Sequence, residues 1–120
     1  MLTSIGKFLR KLRIDEGEIL KDMATKLDVT VSFLSAVENG KKRMPSSWNK
    51  KICELYNFDY AKKDEFSSAI ADTEESLELD LRSLPIERRE FAVSFARRFD
   101  GISSLQIKAI QKILKGEDNQ

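Results

Sequence analysis

Apolar residues recur at helical spacing along most of this chain, and they predict seven helices with one short strand between the fifth and the sixth. Over residues 3–16, Ile5, Phe8, Leu9 and Leu12 fall on one face, with Lys7, Arg10, Lys11 and Arg13 between them. That is the period of an amphipathic helix. Thr3 or Ser4 can cap its start, and Gly17 ends it. A second helix, about 19–27, turns Leu20, Met23, Ala24 and Leu27 inward. A third begins with Thr30 as N-cap, carries Leu34 and Val37 inward, and stops near Asn39-Gly40, where glycine can take the positive φ that closes a helix. A fourth, about 46–57, aligns Trp48, Ile52, Leu55 and Tyr56, and a fifth, about 60–72, aligns Tyr60, Phe66 and Ile70.

The pattern changes at Asp72-Thr73-Glu74-Glu75, an acidic stretch that reads as a boundary between 1–72 and a C-terminal region, 73–120. Beyond it Leu77, Leu79 and Leu81 alternate with Glu78, Asp80 and Arg82, a period of two that predicts a β-strand. Leu84-Pro85 opens a helix to about Phe99 with Phe91, Phe95 and Phe99 four residues apart, and Ser103 or Ser104 caps a last helix to about Lys115. Residues 116–120 read as a frayed end. The fold class expected is mostly α: a five-helix domain, then a short strand and two helices.

Composition narrows the chemistry. The formal net charge is only +1, but residues 1–60 carry eleven Lys/Arg against eight Asp/Glu, and 61–120 carry ten against twelve. The local excess at Lys41, Lys42 and Arg43, with Lys50 and Lys51 nearby, can meet phosphates. There is no histidine, so Ser-His and Cys-His catalysis is unavailable. Cys53 is the only cysteine; it forms no disulfide within the chain and reads as a small buried hydrophobe rather than a redox sensor. Carboxylate pairs such as Glu74/Glu75 and Glu87/Glu90 read as solvated surface, and no Gly-rich phosphate loop is present. An enzyme is therefore not expected, nor is a cofactor or a metal. No basic-then-apolar leader opens the chain and no apolar run approaches membrane length, so the expectation is a cytoplasmic protein without a membrane partner.

The most specific feature is the run from Leu20 to Pro45. Ala24 is small where two helices must approach, a turn follows four residues later, and Val29, Leu34 and Val37 complete a packing set. This is helix-turn-helix spacing. The Glu38-Asn39-Gly40-Lys41 tail, continued by Lys42-Arg43 and Pro45, adds a basic loop. With Leu9-Arg10-Lys11-Leu12-Arg13 in the first helix and Phe33-Leu34-Ser35-Ala36-Val37-Glu38-Asn39-Gly40-Lys41 in and after the third, the chain resembles the lambda-repressor-like (Cro/C1, or XRE) helix-turn-helix family over residues 5–58.

The resemblance implies a recognition helix over about 30–39 lying in the major groove of double-stranded DNA. Val31, Ser32, Ser35 and Ala36 would face base edges. Thr30, Asn39, Lys41, Lys42 and Arg43 would meet the DNA backbone, with the amides from Asn39 to Lys41 also offered to phosphate. Arg13 and Glu38 match a family ion pair that ties the first helix to the third. Two positions depart from the family pattern: Leu20 stands where Gln is common, and Asp28 replaces the usual turn Gly. Val31 and Ala36 cannot make bidentate hydrogen bonds to purines, so contacts to thymine methyls and shape readout are expected to dominate.

Half-sites are normally read by dimers whose two-fold axis matches the operator. The predicted dimer interface is Leu77, Leu79 and Leu81 on the strand with Phe91, Phe95 and Phe99 on the helix after it; the alternative is that these aromatics close a monomeric core. Together these features suggest a homodimeric transcriptional repressor of bacterial, phage or mobile-element type. The alternative is an autoregulating antitoxin that binds a toxin, or another protein, through its C-terminal half.

Overall fold

The structure, a computed structural model, describes residues 1–116. Helix starts follow local hydrogen-bonding chemistry. Thr3 Oγ1 accepts the Gly6 N–H (3.0 Å) and opens α1, Ser4–Glu16, which Gly17 closes at φ +68°. Helix α2, Leu20–Lys26, has no side-chain N-cap; instead the Asp22 carboxylate reaches back to the Ile19 N–H at 2.9 Å. Thr30 Oγ1 accepts the Phe33 N–H (3.0 Å) and opens α3, Val31–Glu38. Residues 46 and 47 form a turn on the Pro45 carbonyl before α4, Trp48–Leu55, begins. Asp59 caps α5, Tyr60–Thr73, by accepting the Lys62 N–H at 2.8 Å. Side-chain oxygens at these positions replace the intrahelical acceptors that a first turn lacks.

The core of the N-terminal unit is one cluster centred on Leu9, Met23, Leu34, Ile52 and Phe66, with Ile5, Leu12, Ala24, Leu27, Val37, Met44, Trp48 and Phe58 around it. Helix α1 packs on both α3 and α5. Phe8 stacks on Phe66 at 5.0 Å between ring centroids, and Phe58 meets both edge-on, at 5.8 and 6.0 Å. Phe58 reaches this trio because Asn57 turns the chain at φ +52°. Near its start, α1 touches the end of α3 with almost nothing between the backbones. A Cβ on Gly6 would overlap the Glu38 carbonyl, which accepts the Thr3 N–H at 3.1 Å.

Contacts divide the chain after Leu79. The acidic stretch at 72–75 lies within the first unit: Thr73 Oγ1 accepts the Ile5 N–H (3.2 Å), and Ser4 donates to Asp72. The second unit, described here over 80–116, holds α6, Ile86–Arg98, a single 3-10 turn, Phe99–Gly101, and α7, Ser104–Leu114. Ser103 and Gln106 cap α7 reciprocally at 3.1 and 3.0 Å. The frayed end expected over 116–120 lies, apart from Gly116, outside the described residues.

The strand predicted at Leu77–Leu81 is absent, and among the described residues the fold is all-helical. A strand requires a ladder partner, and none of the described residues supplies one. Local bonds take its place. Asp80 accepts both the backbone N–H and the Nε–H of Arg82 at 3.0 Å, and the Leu84 N–H turns back to the Leu81 carbonyl. Alternating leucines alone do not make a sheet.

Candidate nucleic-acid interface

Helices α2 and α3 are joined by a tight turn. The Val29 N–H returns to the Ala24 carbonyl at 3.0 Å while Asp28 takes φ +57°, the conformation a glycine would adopt freely. Ala24 is buried between the helices, and Val29 and Leu20 lie half-buried against the core. Leu20 thus packs where a polar side chain would face outward.

Helix α3 has two faces with separate roles. Leu34, Val37 and Glu38 are buried. Phe33 leans edge-on against Trp48, with centroids 6.0 Å apart. On the outer side Thr30, Val31 and Ser32 are exposed, while Ser35 and Ala36 are half-buried. The Thr30 hydroxyl accepts from Phe33, so its proton remains available to a phosphate oxygen. The Val31 and Ser32 N–H groups belong to the first turn, where no intrahelical acceptor exists and the helix dipole favours an anion.

The other end of α3 differs from the expectation. The N–H of Asn39 goes to Ser35, that of Gly40 to Val37, and those of Lys41 and Lys42 both go to Ala36, at 2.8–3.2 Å. Asn39 Nδ2 also donates to the Ser35 carbonyl at 2.9 Å. These amides satisfy the last carbonyls of the helix and are not presented to phosphate, and Asn39 is a helix stop rather than a donor. Lys41 and Lys42 remain exposed. Arg43 is engaged: its Nε lies 3.0 Å from a Glu74 carboxylate oxygen as an ion pair, and its Nη2 donates to the Ser76 carbonyl. Glu74, read from sequence as solvated, is a half-buried partner of this cation. Nothing in the local sequence pairs residues 43 and 74; the return of α5 does.

Arg13 and Glu38 reach across from α1 to α3 beneath this surface. Arg13 Nη2 donates to Glu38 Oε1 at 3.1 Å, a second bond joins Nη1 to Oε2, and Nη1 also approaches Met23 Sδ at 3.6 Å. The residues are only 8% and 4% exposed. Fork-to-fork pairing fixes the orientation of α3 on α1. On the opposite flank Glu18 accepts from the Tyr56 hydroxyl at 2.7 Å and pairs with Lys26. Burial and the Glu18 bond push the Tyr56 hydroxyl above its ordinary pKa. Cys53 is half-buried, and burial raises its thiol as well, which suits a packing role.

The residues read as a dimer interface lie largely at the surface. Leu77 and Leu79 are exposed in the first unit; in the second, Leu81 and Phe95 are half-buried, and Phe91 and Phe99 are 70% and 63% exposed. The three phenylalanines form a continuous strip, with centroid separations of 6.1 and 5.8 Å. No residue of α6, the 3-10 turn or α7 is buried. Among the described residues no group of His, Cys, Asp and Glu could hold a metal ion, and no helix is long and apolar enough to cross a membrane. No protein-family profile, curated protein or solved structure matches this chain.

Proposed function

We propose that this protein is a sequence-specific DNA-binding transcriptional repressor, acting in the cytoplasm as a homodimer on a pseudo-palindromic operator with α3 in the major groove. One observation carries the reading. Helix α3 is held from within by Leu34, Val37 and Glu38, while Thr30, Val31 and Ser32 face solvent and Lys41 and Lys42 stand exposed just past its end. Short side chains let the helix backbone approach the base edges; Val31 and Ala36 meet thymine methyls, and groove shape supplies further selectivity. Thr30, Lys41 and Lys42 take the phosphates.

The test is a mobility shift on the DNA upstream of the protein's own gene. Lys41→Gln/Lys42→Gln is expected to weaken binding about tenfold or more near physiological salt, and to lower the salt slope by about two. Undiminished binding by this double variant would remove the assigned surface.

The uncovered apolar strip of the second unit supports the dimer, because so small a pair of helices has no core of its own. Sedimentation of the full chain without DNA is expected to give a dimer at micromolar concentration, and Phe91→Glu/Phe99→Glu a monomer. The same strip suits a second reading, an antitoxin whose C-terminal half covers a toxin. A wild-type monomer that forms a complex with the product of an adjacent gene would favour that reading over the homodimer.

A further inference from the structure

We propose that residues 72–76 form an intramolecular clasp that holds Arg43 away from DNA, so that the affinity of the basic loop is set by an acidic segment of the same chain. This rests on the DNA-binding reading of the loop and adds a restraint to it.

The clasp is built from both sides. At its base, Thr73 Oγ1 accepts the Ile5 N–H at 3.2 Å and donates to the Ala69 carbonyl at 2.9 Å, while Asp72 accepts from Ser4. These bonds fix the end of α5 against the start of α1. Glu74 then meets Arg43 Nε at 3.0 Å, and the Ser76 carbonyl takes Nη2. The Glu74 side chain is only 16% exposed, so its carboxylate is seated rather than loosely paired. A cleft beside the pair is lined by Lys42, Arg43, Glu74 and Glu75 among others.

The consequence is electrostatic and steric. The Glu74 carboxylate lies against Arg43 Nε and the Ser76 carbonyl accepts from Nη2, and the Arg43–Glu74 pair carries no net charge toward an approaching phosphate. For Arg43 to meet DNA, the Glu74 carboxylate must leave, and a phosphate then takes its place beside the guanidinium. The Arg43 side chain is 49% exposed, and solvent on that side screens the pair and keeps it weak, so the exchange is within reach of DNA binding. Whatever loosens 72–76 then strengthens the grip on DNA, and whatever stabilises it weakens the grip.

The experiment uses the full chain and a mixed-sequence duplex of about 30 base pairs, near three helical turns, because backbone affinity is independent of sequence. Glu74→Gln is expected to tighten binding about three- to tenfold at low salt and to steepen the salt slope by about one. Glu54→Gln, which makes the same net-charge change at an exposed site on α4, is expected to do neither. Arg43→Gln is expected to change binding little in the wild-type chain but to abolish the gain in the Glu74→Gln chain. Circular dichroism of each variant establishes that the fold is kept. If Glu74→Gln binds as wild type does while Lys41→Gln/Lys42→Gln still loses affinity, the clasp is refuted and the DNA surface stands. A loss on Arg43→Gln as large in the wild-type chain as in the Glu74→Gln chain refutes it too. If no form of the chain binds the duplex, the DNA-binding reading falls and takes the clasp with it.

Discussion

Gly6→Ala is expected to destabilise the N-terminal unit by about 3 kcal/mol, and Gly6→Val by more, although helix propensity alone argues the reverse. Inside a helix alanine is favoured over glycine by about 1 kcal/mol. Against this stands a backbone collision: the new Cβ would overlap the Glu38 carbonyl and crowd its Cα. A flexible side chain can swing away from such a contact, but a carbonyl in the last turn of a helix cannot. Relief requires α1 and α3 to separate, which strains the Thr3–Glu38 backbone bond and the packing of Ile5, Leu9, Leu34 and Val37. Overpacking of this kind typically costs about 1–3 kcal/mol and more where backbone must move, so the collision outweighs the propensity gain. Urea unfolding of the two variants checks it, with Gly101→Ala as a control because a Cβ there meets nothing. A Gly6→Ala protein as stable as wild type would show that the helices do not approach this closely.

That position also marks where sequence reasoning reached its limit. Helices α1 to α5 are legible from their apolar spacing, and α1 and α3 also from the caps at Thr3 and Thr30. The α2–α3 turn was legible because small Ala24 and apolar Val29 have one sensible arrangement. Gly6, an isolated glycine within a helical pattern, is the sequence signal of that close approach. The strand expected at Leu77–Leu81, with its ladder partner in a second subunit, is absent from the chain, because five alternating residues carry no bonds that hold them extended. Asp80 and Arg82, two residues apart, bond to each other instead. At the candidate site, sequence gives the identity of a donor but not whether it is free. The amides of residues 39–42 belong to the closing turn of α3, and Arg43 belongs to Glu74 through a contact spanning thirty-one positions. Such long-range occupation is invisible to a local pattern.

Breaking the Arg13–Glu38 pair from one side is expected to have the largest effect of any side-chain change at the site. Arg13→Met leaves a carboxylate that is almost wholly buried without a counter-charge, and losses of about 3–5 kcal/mol follow when a buried pair is halved. Against a total of about 5–15 kcal/mol for a small domain, that is enough to leave much of the protein unfolded at moderate temperature. Arg13→Met/Glu38→Leu should recover most of the loss, since the pair is buried with Met23 Sδ against Arg13 Nη1 and the desolvation penalty of two charges is removed together. The double-mutant cycle therefore has a large favourable coupling, measured by urea unfolding, and additive losses would mean that the two side chains do not act as a pair. The same protein separates structure from recognition. If the pair only orients α3 on α1, the refolded double variant binds DNA with an affinity close to wild type. If it folds well but loses binding by tenfold or more, one of the two charges contacts DNA itself, and the assignment of the pair to the interior is wrong.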